Sequence, residues 1–66
     1  SINPAGEVRR RILKYIRDLG SYTGLSLTEI VIRFADDANM ALVEEALELL
    51  ILQDKIKQDG QNYKLK

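Results

Sequence analysis

The stretch from Asn39 to Gln53, Asn-Met-Ala-Leu-Val-Glu-Glu-Ala-Leu-Glu-Leu-Leu-Ile-Leu-Gln, is the longest uninterrupted helical pattern in the chain. Leu42, Val43, Ala46, Leu47, Leu49 and Leu50 recur at three- and four-residue spacings, which places them on one broad side of a helix facing a core. Glu44, Glu45 and Glu48 fall on the opposite side. Asn39 suits the N-cap, because its side chain can accept a bond from a first-turn amide that has no partner within the helix. No Pro or Gly interrupts the run. A helix with so much apolar surface has to be covered, and the remaining residues must supply the cover.

The chain has 66 residues, enough for one domain spanning 1–66. A core of that size buries roughly 60% of the unfolded surface and leaves little room for a large catalytic cleft. The chain contains neither Cys nor His. Disulfides and thiolate metal sites are therefore excluded, along with the commonest metal ligand and the commonest general base. The lack of Cys favours an intracellular protein. No apolar run approaches the ~18 residues of a membrane-spanning helix, and no leader pattern opens the sequence, so no membrane association is expected.

A formal net charge of zero conceals strong segregation along the chain. Residues 1–20 carry Arg9, Arg10, Arg11, Lys14 and Arg17 against Glu7 and Asp18, a net +3. Residues 26–54 set Arg33 against Glu29, Asp36, Asp37, Glu44, Glu45, Glu48 and Asp54, a net −6. Residues 55–66 return to +3, with Lys55, Lys57, Lys64 and Lys66 against Asp59. A bipolar molecule is expected.

Residues 1–6, with Asn3, Pro4 and Gly6, read as a short lead-in. From Glu7, the spacing of Val8, Ile12, Ile16 and Leu19, helped by Leu13 and Tyr15, predicts a first helix that Gly20 ends as a positive-φ residue. Ser21 to Gly24 form a loop, and Leu25 inserts one apolar side chain as a minimal strand. Ser26 and Glu29 form a capping box for a second helix, with Leu27, Ile30, Val31 and Phe34 on its buried stripe. The acidic link Ala35 to Ala38 is short, so the second and third helices are neighbours in a helix-turn-helix. Beyond Gln53 the period changes to two. Asp59-Gly60 suits a two-residue type I′ turn, which would pair Gln58 with Gln61, Lys57 with Asn62, Ile56 with Tyr63 and Lys55 with Lys64. In that register Ile56, Tyr63 and Leu65 share the buried face, and Lys55, Lys57 and Lys64 share the exposed one. Helix, short strand, helix, helix and closing hairpin is the order of an α+β winged helix-turn-helix, with the hairpin as its wing.

Within that superfamily, the segments Gly24-Leu25-Ser26-Leu27-Thr28-Glu29-Ile30, Val43-Glu44-Glu45-Ala46-Leu47-Glu48-Leu49-Leu50 and Lys55-Ile56 resemble the C-terminal winged helix of the middle subunit of replication protein A. The C-terminal domains of replicative helicases and small winged helices of RNA polymerase III subunits are similar. Asp54 stands where the replication protein A family usually has Gly, and Lys57-Gln58 replaces its Tyr-Ser-Thr-like strand. The resemblance implies a nuclear module, or a cytoplasmic one outside eukaryotes, that docks replication and repair proteins through short basic helices.

Catalysis has no inventory to draw on. Ser1, Ser21 and Ser26 lie at the terminus, in a loop and at a cap, so no nucleophile with a paired base is evident, and no enzymatic activity, cofactor or small-molecule substrate is expected. Asp36-Asp37 offers too few oxygens for a calcium cage. Two binding surfaces are expected instead. One is Glu44, Glu45, Glu48, Leu52 and Asp54, an acidic rim beside apolar area left outward at Ile51 and Leu52, which suits a partner's basic amphipathic helix. The alternative is weakly specific duplex DNA binding by Arg10, Lys14 and Arg17 on the first helix and by Lys55, Lys57 and Lys64 on the wing. Tyr22 is the one aromatic ring expected to be free for stacking on bases.

Overall fold

The computed structural model describes residues 4–20 and 23–66. Three helices, α1 (Pro4–Leu19), α2 (Leu27–Arg33) and α3 (Met40–Leu52), combine with strands β1 (Leu25–Ser26), β2 (Ile56–Asp59) and β3 (Asn62–Leu65). The strands form an antiparallel sheet in the order β1-β3-β2, an α+β arrangement consistent with a winged helix. Ser1 to Asn3 of the expected lead-in, and Tyr22, lie outside the described residues.

The first helix begins earlier than its apolar pattern indicates. Pro4 opens α1, where its missing N–H costs nothing because first-turn amides have no intrahelical partner. Val8, Ile12 and Ile16 are buried along one face of α1. Leu19, expected in that stripe, is instead 65% exposed. The core position at this end belongs to Gly20, whose N–H donates to the Ile16 carbonyl at 2.7 Å. Gly20 does not adopt the positive φ expected of it. Its requirement is for space: a Cβ there would stand 2.9 Å from Leu25 Cγ and 3.1 Å from the Ile16 carbonyl oxygen.

Both expected caps form. The Ser26 hydroxyl accepts the Glu29 N–H at 3.1 Å and donates to the Glu29 carboxylate at 3.2 Å, so Glu29 binds the capping hydroxyl where a bond to an amide was expected. Asn39 Oδ1 accepts the Leu42 N–H at 2.8 Å. Ile30 and Phe34 of the second stripe are buried, with Leu27 and Val31 packed partly against them. From α3, Val43, Ala46, Leu47 and Leu50 enter the core, while Leu42 is half-buried against it and Leu49 is half-buried. Ile56 from β2 and Leu25 from β1 close the core from the sheet side.

The hairpin departs from its expected register. Ile56 pairs with Leu65, Lys57 with Lys64, Gln58 with Tyr63 and Asp59 with Asn62. The turn residues are therefore Gly60 and Gln61, and only Gly60 has positive φ (+64°), the type II′ pattern rather than type I′. Each β2 residue is thus matched two places further along β3 than expected. Since side chains alternate with period two, a slip of two keeps every residue on its own face. Two contacts anchor the other edge of β3. Leu25 and Ser26 pair with Tyr63 and Asn62, and Asn62 Nδ2 donates to the Thr23 carbonyl at 3.1 Å. Gly24, at φ +85°, permits this approach: a Cβ would lie 3.0 Å from both Asn62 Cβ and the Tyr63 carbonyl oxygen.

Asp54 is the single non-glycine residue with positive φ among the described residues, at +64°. Its N–H donates to the Ile51 carbonyl at 3.0 Å and the Lys55 N–H to the Leu50 carbonyl at 3.0 Å, the paired bonds of a Schellman motif ending α3. An L-residue in this conformation is strained, and a carboxylate at a helix C-terminus opposes the helix dipole. The ion pair from Lys66 to Asp54 offsets little of that, being exposed. Asp54→Gly is therefore expected to stabilise the domain by about 1 kcal/mol, raising Tm by roughly 4–8 °C. Thermal unfolding of both proteins checks this, and an unchanged or lower Tm would refute the strain argument.

Candidate functional site

The outward surface of α3 is acidic along its middle and apolar at its C-terminal end. Helical spacing puts Glu44 and Glu48 one turn apart, with Glu45 beside them, and all three are exposed. Among the described residues, none of the three takes part in an ion pair. Burial of Val43, Ala46, Leu47 and Leu50 on the inner face forces this orientation. Glu48, Ile51 and Leu52 together line a shallow, mainly apolar depression of about 300 Å³. Leu52 is 79% exposed, so a large apolar side chain stands in water next to a carboxylate. Asp54, the fifth residue expected here, lies past the end of the helix with its carboxylate engaged by Lys66. Four of the five expected residues thus lie on one helix surface, and Asp54 borders it as part of the capping turn.

The expected cationic set is dispersed. Arg10, Lys14 and Arg17 line one strip of α1, together with Arg11. Arg10 is paired with Glu7, and Arg17 lies 3.9 Å from Asp18. On the wing, the like-charge neighbours are Lys57 and Lys64, directly opposite each other, rather than Lys55 and Lys64. Lys64 is relieved by Asp59 at 3.7 Å and its side chain is only 23% exposed. Lys55 precedes β2 and lines a separate cleft against α1, so the three lysines do not form one exposed row.

Two features have no counterpart among the expected sites. Arg11 and Arg33 both stack on the Phe34 ring, at 5.6 and 5.3 Å from its centroid, and Arg33 also lies 5.6 Å from the centre of Tyr15. Arg11 further reaches Asp37 at 3.4 Å, which ties α1 to the turn between α2 and α3. These arginines stabilise the packing of α1 on the helix-turn-helix, as buried aromatic faces attract guanidinium groups. The second feature is the cleft between α1 and the end of α3, where Arg9 and Arg10 meet Lys55. Sequence separation hides that meeting. The arginine run was visible, but the lysine that completes it lies at the far end of the chain.

In comparison with known proteins, the chain matches no family model, no curated protein and no solved structure. No described helix is long and apolar enough to cross a membrane.

Proposed function

We propose that this chain is a protein-interaction module of the winged-helix superfamily that docks a basic amphipathic helix of a partner on the outer surface of α3. The observation that carries the proposal is the trio Glu44, Glu45 and Glu48, exposed and without ion pairs on the helix that would face phosphates in a DNA-reading winged helix. Carboxylates there repel a duplex, attract a basic ligand and set its orientation, while the depression at Ile51 and Leu52 offers apolar area for affinity. The likeness to the middle subunit of replication protein A suggests a replication or repair assembly as the setting. In this reading the domain performs no catalysis. Ser26, the one serine with a described hydroxyl, is committed to the cap of α2. Turnover by the purified domain that vanished on one substitution without unfolding would overturn that part.

A second reading, weakly specific duplex DNA binding by α1 and the wing, is favoured by the strip of Arg10, Lys14 and Arg17. Of the six cations assigned to it, Lys14, Lys55 and Lys57 are without ion pairs among the described residues. Three phosphate contacts would give a slope of roughly −2.7 for log affinity against log salt. Titrating the isotope-labelled domain with a basic helical peptide and, separately, with nonspecific duplex DNA separates the readings. Peptide-induced shifts centred on Glu48, Ile51 and Leu52, with weaker binding as salt rises, are the expected result. Nanomolar, sequence-selective DNA binding through α3 would sink the first reading.

A further inference from the structure

The cleft between the first turns of α1 and the last turn of α3 has a volume of about 550 Å³. Its rim carries Arg9, Arg10 and Lys55 with one carboxylate, Glu7, and Leu13 and Leu50 contribute apolar lining. The local chain path explains why the cations converge. The left-handed turn at Asp54 sends the chain back across the end of α3, and the Lys55 N–H is fixed to the Leu50 carbonyl. Lys55 is thereby held at the same cleft as two arginines from the opposite end of the sequence. Glu7 neutralises Arg10. Arg9, which is half-buried, and Lys55 have no ion pair among the described residues. Glu7 being taken up by Arg10, Arg9 and Lys55 are left as like charges at one concavity, and an anionic ligand would remove their repulsion.

We infer that this cleft is a second binding site, one that receives an acidic peptide segment of a partner protein. A peptide carboxylate sits between Arg9 and Lys55, and a neighbouring apolar side chain covers Leu13 and Leu50. Two observations favour an acidic peptide over nucleic acid. The free cations surround a concavity, whereas a duplex needs them spread over an accessible surface to meet successive phosphates. Apolar side chains line the space between them. The site is independent of the acidic surface of α3: it has the opposite charge and shares no residue with it.

The test is a titration of the labelled domain with a short acidic amphipathic peptide carrying alternating Glu and Leu turns, run in parallel with inorganic phosphate and with duplex DNA. The peptide is expected to shift the amides of Arg9, Arg10, Gln53 and Lys55. The double substitution Arg9→Glu/Lys55→Glu should weaken binding by about tenfold or more, while Glu48→Lys leaves it unchanged. Should the double charge reversal unfold the domain, Arg9→Gln/Lys55→Gln supplies the same comparison with a smaller loss. The proposal fails if the peptide shifts none of these residues at millimolar concentration. It also fails if duplex DNA or phosphate shifts them at lower concentration than the peptide, or if Glu48→Lys weakens the peptide as much as the cleft variants do.

Discussion

The triple variant Glu44→Lys/Glu45→Lys/Glu48→Lys is expected to stay folded and to bind a basic amphipathic helix about a hundredfold more weakly than the original domain. The folding half follows from position. All three side chains are exposed on α3 and free of ion pairs among the described residues, so replacing them breaks no native contact. Each substitution should cost about 0.5 kcal/mol or less. Glu44 and Glu48 already repel each other at one-turn spacing, and two lysines there repel to a similar extent. The binding half follows from charge. An exposed pair contributes up to about 1 kcal/mol, so replacing three attractions by repulsions removes on the order of 3 kcal/mol, or about a hundredfold in affinity. Leu52→Ala should behave differently, weakening the peptide by lost apolar contact without altering its salt dependence. Equal binding by the folded triple variant would dismiss the interaction-module reading.

Replacing Phe34 by Ala is expected to produce the largest loss of stability of any single core substitution. Phe34 is 2% exposed and stands at the C-cap of α2, inside the core cluster. Tyr15 meets its ring edge-on at 5.8 Å between centroids with an 86° interplanar angle, and Arg11 and Arg33 stack on it from their own elements. Truncation removes apolar contact, the aromatic pair and two cation–π contacts together, a loss of about 3–5 kcal/mol. A domain of this length has a total stability of only roughly 3–10 kcal/mol, so the loss takes a large fraction of it and, at the low end of that range, unfolds most of the population at room temperature. Phe34→Leu keeps most of the volume and should cost about 1.5 kcal/mol. Denaturant unfolding measures both. A Phe34→Ala midpoint close to that of the original would mean that the aromatic cluster contributes little.

Element types and most of their ends were legible in the residues alone, because those signals are local. Asn39 and Ser26 each bond an amide three residues ahead, so their capping roles require nothing from the rest of the molecule. The stripe of Val43, Ala46, Leu47 and Leu50 is likewise a property of helical spacing, and with it the outward placement of Glu44, Glu45 and Glu48. The unusual residue at Asp54 was legible as a carboxylate where glycine is usual, although its φ of +64° was not. Tertiary structure alone decided the hairpin register. Alternation of buried and exposed residues is unchanged by a slip of two, and the ladder from Ile56–Leu65 to Asp59–Asn62, continued by the Lys66 N–H on the Lys55 carbonyl at 3.2 Å, makes Gly60-Gln61 the turn. It also decided that Gly20 takes the core position and leaves Leu19 in water, since that depends on where Leu25 packs. The cleft of Arg9, Arg10 and Lys55 belongs to the same class. Helical periodicity orders residues a few places apart, whereas neighbours from opposite ends of a chain are set by how the helices and sheet close over one core.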